Sequence, residues 1–432
     1  MNVYIKYITM ILAGLLLTGP YAEAQEAYRT EVFRDDIKSL EVKVEGELLS
    51  DPYIELNGEQ RIEIIFDALH RSSGRFAYSV IHCDADWKKS TLLPIEYMNG
   101  FQQVTIHDFA NSMNTMTHYT NYHLYFPNEE TQFTVSGNYV VQVYEEDYAD
   151  RVIFTACFSL IEPLIEIDAS VSGNTDIDFN KAHQQVEFTI HRENLNILYP
   201  QNDLKIFVYQ NNNRNDLRTD LQPMVITIRQ LQYKHNRNLI FEAGNEYRRI
   251  EFLNHRYNGM GVEHIGFYSP YYHATLFPEK KRADISYLYD QDQNGRFFIR
   301  CSECQDPDTE ADYYIVHFSL ASERMSEGDL YITGELFNNI TDERNRMEYN
   351  PETGAYEKAV MLKQGLYNYQ YTFMEKGGTR ASLNETEGNF FETENEYTIA
   401  VYYRPAGARY DRLVGVKTIG NNRETAYSAT KL

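Results

Sequence analysis

The chain has 432 residues and carries 40 Lys and Arg against 63 Asp and Glu, a formal charge of −23. A phosphate-tracking protein needs a basic face, and the one short basic cluster, Lys280, Lys281 and Arg282, follows Glu279, so nucleic acid is excluded as a partner. With 43% hydrophobic and 14% aromatic residues the chain can build cores, and 36 tyrosines against 12 prolines point to pleated, half-buried β structure.

Residues 1–24 read as a cleaved secretory signal peptide, because Lys6 precedes the apolar run 8–17 and Ala22-Glu23-Ala24 is a small-x-small cleavage site. No cysteine stands near Gln25, which argues against a lipid anchor. Downstream there is no run of 18 apolar residues to span a membrane as a helix. Charged residues on outward strand faces and the non-aromatic end Ala429-Thr430-Lys431-Leu432 argue against a membrane barrel. The mature chain is expected in solution beyond the inner membrane.

Residues 25–163 form the first expected domain. Seven apolar-alternating runs, 37–44, 61–69, 76–83, 104–109, 119–126, 139–144 and 152–160, have the spacing of a β-sandwich. Ser136-Gly137-Asn138-Tyr139 enters the sixth run as a tyrosine corner does, with a hydroxyl able to bond back to the preceding loop. Residues 164–322 form the second. Val186, Phe188 and Ile190 share one face, and 204–208 and 314–320 repeat the period of two. The Asn-rich stretch 211–218 reads as a long turn and 321–328 as a linker. Residues 323–432 form the third, with strands at 330–334, 356–362, 366–374 and 397–403. No long amphipathic helix is expected. The fold class is therefore all-β, three tandem immunoglobulin-like sandwiches after a signal peptide.

Four cysteines do not make a disulfide scaffold in a chain of this size. Cys83 and Cys157 lie in apolar runs and read as buried free thiols, whereas Cys301-Ser302-Glu303-Cys304 is either a local disulfide or two idle thiols. The catalytic signatures G-x-S-x-G, H-E-x-x-H, the P-loop and G-x-G-x-x-G after a strand are all missing. Three constellations remain. His82, Asp84 and Asp86 alternate, so on a strand they would project from one face as metal ligands might, the other reading being a strand ending in a capped polar turn. Asp290, Asp292 and Asn294 match the front half of a calcium loop, but its twelfth position is Cys301, and D-x-N-G is also a hairpin turn. Tyr367, Tyr369 and Tyr371 share a strand face that is either a sugar-stacking platform or core.

The run His82-Cys83-Asp84-Ala85-Asp86-Trp87, with Leu93-Pro94-Ile95-Glu96-Tyr97 and Gly100-Phe101, resembles the plug protein family of the Bacteroidetes type IX secretion system. The resemblance continues through Tyr119-Thr120-Asn121-Tyr122 and Phe126-Pro127-Asn128-Glu129, and returns at Gly244-Asn245-Glu246-Tyr247-Arg248, Asp292-Gln293-Asn294-Gly295-Arg296 and Thr309-Glu310-Ala311-Asp312-Tyr313. One departure is Asn215, where an aromatic is expected. Thr333-Gly334-Glu335-Leu336-Phe337-Asn338 and Gly365-Leu366-Tyr367-Asn368-Tyr369 look like the early-set sandwiches related to glycogen-binding modules.

The resemblance implies a non-enzymatic periplasmic protein without cofactors, associated with the outer membrane. Such a protein docks on the giant outer-membrane β-barrel translocon and seals its periplasmic opening. His82, Asp84, Asp86, Trp87, Glu96 and Tyr97 are the expected contact residues, with Trp87 serving either as an aromatic anchor beside acids or as buried scaffold. The alternatives are a carbohydrate-binding envelope protein using Tyr367, Tyr369 and Tyr371, and a metal-dependent enzyme using His82, Asp84 and Asp86.

Overall fold

The computed structural model describes residues 27–69 and 75–420, so the expected signal peptide lies outside the described residues. Period-two alternation becomes strands nearly wherever the sequence shows it. Ile37–Val44 and Phe76–Cys83 form with the expected bounds, and among the described residues helix is confined to single turns such as Pro94–Tyr97.

The first core lies between two sheets. One has the order Glu31–Val32, Tyr148–Ile161, Gly137–Glu145, Phe76–Cys83, Val104–Thr105; the other has Ile37–Val44, Ile62–Ala68, Thr120–Phe126, Phe109–Asn111. Phe66 stacks on Tyr122 between them, with ring centroids 4.9 Å apart. The tyrosine corner forms as the sequence suggests, the Tyr139 hydroxyl donating to the Val135 carbonyl at 2.7 Å. Gly137 enters that strand at φ 130°, and a Cβ there would meet His82 Nε2 at 2.7 Å, so the turn needs glycine twice over.

The second core joins segments far apart in sequence. Leu204–Gln210 pairs along its length with Glu396–Tyr403, which pairs in turn with Arg412–Gly420; this sheet faces one built on Glu166–Ser172 and His183–His191. Val186, Phe188 and Ile190 are buried together with Val208, Ile399 and Val401. The third core is threaded between these halves. Arg248–Phe252, Phe297–Ile299 and Gly328–Thr333 all pair with Gly365–Glu375, opposite a sheet centred on Tyr313–Ala321 and Ala355–Lys363. The order is therefore nested rather than tandem. The expected break at 322/323 falls inside the third core, which holds Phe318, Leu320, Leu330 and Ile332 together. Nor is 211–218 a long turn: Asn211 and Asn212 reverse the chain at φ 50° and 49°, and Asn213–Arg218 returns as a strand, because Asn tolerates the left-handed region.

Buried polar groups weld the cores together. Asp67, fully buried in the first, accepts from Lys363 Nζ at 2.7 Å, the Tyr313 hydroxyl at 2.6 Å and Asn121 at 2.9 Å. The Asp312 carboxylate takes the Met116 and Thr117 N–H groups at 2.8 and 3.0 Å, and the Tyr119 hydroxyl donates to the Ala311 carbonyl at 2.7 Å. Arg296, from the third core, pairs with Asp51 of the first at 2.8 Å and Glu396 of the second at 2.9 Å.

Candidate functional site

The His82 to Trp87 motif does not present one polar face. The strand ends at Cys83, and a turn closed by Trp87 N–H on the Asp84 carbonyl at 2.9 Å sends alternate side chains in different directions. His82 is buried among the rings of Tyr97, Tyr139 and Tyr410. Its Nε2 lies 3.2 Å from the Ser136 carbonyl and must donate there, which leaves Nδ1 to accept from Ser90 Oγ at 2.8 Å. Asp84 turns to Arg404 instead, while Asp86 is exposed beside Lys88. The three side chains expected to share a face are thus held apart, which removes the metal-dependent reading of them.

Burial pushes the His82 imidazole down to about 4 from an ordinary 6.5, against the weaker pull of the Ser136 carbonyl, so the ring is neutral in the folded protein at neutral pH. Between those two values the unfolded chain binds a proton that the folded chain refuses. Stability therefore falls as pH drops from 6.5 toward 4, with roughly 2 kcal/mol lost by about pH 5. In urea melts the fall from about pH 7 to about pH 5 should be steeper for the native chain than for His82→Gln by that amount. Parallel pH profiles would show that His82 takes up its proton at the same pH folded and unfolded, and so is not held neutral by burial.

Trp87 is scaffold. It sits at φ 61°, a conformation a bulky residue adopts at a cost, with its indole buried against Cys83, Val140 and Cys157. Arg214 lays its guanidinium over the ring at 3.8 Å, a cation–π contact between the first core and the second. Tyr97 is buried too, its hydroxyl donating to the Val80 carbonyl at 2.9 Å. Glu96 caps its own turn through the Leu93 N–H at 2.7 Å and meets Arg409 at 2.5 Å, and these two contacts hold its carboxyl below the ordinary range. Asn215, where an aromatic is expected, donates to the Asn339 carbonyl at 2.6 Å.

What the motif builds is a joint with the 404–411 loop. Ala85 N–H donates to buried Asp411 at 2.9 Å, Lys205 and Arg404 approach the same carboxylate at 2.9 and 2.8 Å, and Arg409 donates to the Thr91 carbonyl at 2.6 Å. Asn138 donates to the Asp84 carbonyl at 3.0 Å while accepting the Tyr402 hydroxyl at 2.8 Å. Along this segment Asp86, Leu93 and Ile95 are exposed, the last two at 62% and 81%. The sequence reading missed both apolar residues. Their signal is the Pro-started single turn, which aims Tyr97 inward and leaves its N-terminal neighbours outside.

The other candidates resolve into structure. Tyr367, Tyr369 and Tyr371 are buried, and Tyr369 and Tyr371 donate to Glu279 at 2.9 and 2.6 Å, so none can stack on a sugar. Consecutive residues of that central strand are buried on both faces, so a shared face did not mean an exposed one. Asp290 pairs with Arg249, and Asp292 accepts the Asn294 and Tyr247 N–H groups, with Asn294 at φ 53°, which is a turn whose carboxylates are already taken by protein donors. Burial pushes the Asp292 carboxyl up to about 7. Cys301 and Cys304 form a disulfide, and Cys83 and Cys157 are buried free thiols.

Three comparisons bear on this arrangement. Residues 37–162 match the family model described as Type 9 secretion system plug protein 1st domain. A crystal structure of a hypothetical protein from Parabacteroides merdae is 60% identical, superposes with a TM-score of 0.90, and covers 92% of this chain and 100% of its own. Among curated proteins no match is found.

Proposed function

We infer the function from the premise that residues 37–162 belong to the type 9 secretion system plug protein family, which ties the chain to that secretion machinery. On that premise the protein is a non-enzymatic periplasmic plug. It docks on the giant outer-membrane β-barrel translocon and closes its periplasmic opening when no substrate passes. The family match carries the reading, and the joints support it: a body meant to seal a wide opening must not hinge, and buried ion pairs and tyrosine hydroxyls hold all three cores together. A charge of −23 would steer it toward a basic rim.

We place the docking face on the exposed residues of the first joint, Leu93 and Ile95 as apolar anchors, with Asp86 in the same segment. A tagged pull-down from mild-detergent envelope extracts should recover a very large outer-membrane barrel in near-equal amount. Leu93→Asp with Ile95→Asp, which alters exposed positions only, should lower that recovery about tenfold or more. Recovery of no barrel, while other envelope complexes stay intact, would refute the plug reading. Full recovery by the double variant would move the docking face elsewhere.

A further inference from the structure

Exposed apolar side chains gather at one end of the second core. His183–His191 runs into a loop, 192–199, and the neighbouring strands Val225–Ile226 and Gln230–Tyr233 meet in a tight turn. Arg192 ties loop and turn together. Its N–H donates to the Arg229 carbonyl at 2.9 Å, and its guanidinium donates to the Ile197 carbonyl at 2.5 Å and the Thr227 carbonyl at 2.7 Å. The residues next to these carbonyls are therefore neighbours. Leu198, Tyr199, Met224 and Ile228 are 72%, 65%, 66% and 91% exposed, and Val225 and Ile226 are exposed as well. Such a group reaches the upper range of apolar patches on soluble proteins, on the order of several hundred Å².

The shape of this tip narrows what it fits. Val225 and Ile226 stand at the end of the sheet and are both exposed, whereas their partners Gln232 and Leu231 are half-buried and buried in the second core, so the apolar surface is a narrow edge with the turn beyond it and not a broad flat face. Charge agrees. Between Leu221 and Lys234 the chain has Arg229 and no acid, against its overall −23, and Glu193 is the one acid in the loop. Arg229 is exposed and forms no ion pair among the described residues. Aliphatic side chains with a tyrosine and arginines behind them are the composition of a segment that seats at a lipid interface.

We propose that this tip inserts into an anionic phospholipid surface, the aliphatic side chains passing below the headgroups and Arg229 resting against lipid phosphate. The inference does not rest on the plug reading, since lipid vesicles contain no translocon. The mature chain should float with phosphatidylethanolamine–phosphatidylglycerol vesicles and bind neutral phosphatidylcholine vesicles less. Ile226→Asp with Ile228→Asp should cut the floated fraction about tenfold or more, and Arg229→Glu roughly fivefold. Unchanged thermal melts would show the variants folded. A native chain that stays unbound, or a double variant that floats as well as the native chain, overturns the proposal. Loss of an envelope protein partner from the double variant, with no vesicle binding by the native chain, would make the tip a protein contact instead.

Discussion

Lys363→Met should lower the unfolding free energy by about 3–5 kcal/mol, the usual cost of stranding a buried charge. Lys363 and Asp67 have side chains 1% and 0% exposed and meet at 2.7 Å across the boundary between the first and third cores. Removing the ammonium leaves a carboxylate with no water to turn to. Tyr313 and Asn121 still donate to it, and they supply hydrogen bonds but no opposite charge. The decisive measurement is a double-mutant cycle by urea unfolding. Asp67→Asn alone should destabilise, by breaking the pair, yet in the Lys363→Met background the same change should stabilise, by removing the naked charge. If Asp67→Asn destabilises both backgrounds equally, the pair is not coupled. The site also tests the rigid-body argument, because a weakened joint there should raise protease sensitivity between the two cores before either melts.

Glu387→Ala is expected to cost as much, again about 3–5 kcal/mol. Its carboxylate is fully buried and receives Arg248 Nε at 2.9 Å and Nη2 at 3.0 Å, Arg282 Nε at 2.6 Å and the Tyr371 N–H at 2.9 Å. Burial alone would raise its pKa, and the two guanidinium groups outweigh burial and hold the carboxyl below the ordinary range. The sign follows. This contribution is present above the ordinary carboxylate value and is lost as pH falls below it, so part of the acid unfolding of the native chain should vanish in Glu387→Ala. Arg248, 8% exposed, would keep Glu279 at 3.0 Å as its carboxylate partner, beside the Lys280 carbonyl at 2.8 Å. A loss below about 1 kcal/mol, measured by urea unfolding at neutral pH, would mean that water reaches the site and screens it.

The strands were legible because their cause is local. A residue on a half-buried strand must alternate, and Val186, Phe188 and Ile190 show it without reference to any partner. The tyrosine corner was legible for the same reason, since the shorter bond of the Tyr139 hydroxyl goes to Val135, four residues back. The joints were not. His82 to Trp87 looks like a polar display in one dimension, and only Asp411, Arg404 and Arg214, brought in from more than a hundred residues away, turn it into an interface between cores. Likewise the tyrosine stripe at 367–371 was legible as a stripe, but the sheet packed over it, which decides whether it is a platform or a core, lies elsewhere in the chain.

The sequence by itself determined the all-β class, most strand positions, the lack of a long helix among the described residues and the family resemblance, because each rests on periodicity or on short runs of residues. Only the tertiary structure decided that the second core closes around the third, that the resembling motif is a joint, and that Leu93, Ile95 and the tip beside Arg192 face water. The physical reason is that β pairing and burial are set by partners distant in sequence. Leu204–Gln210 could have paired with any strand of suitable alternation, and it is the match with Glu396–Tyr403, almost two hundred residues on, that fixes which side chains face water.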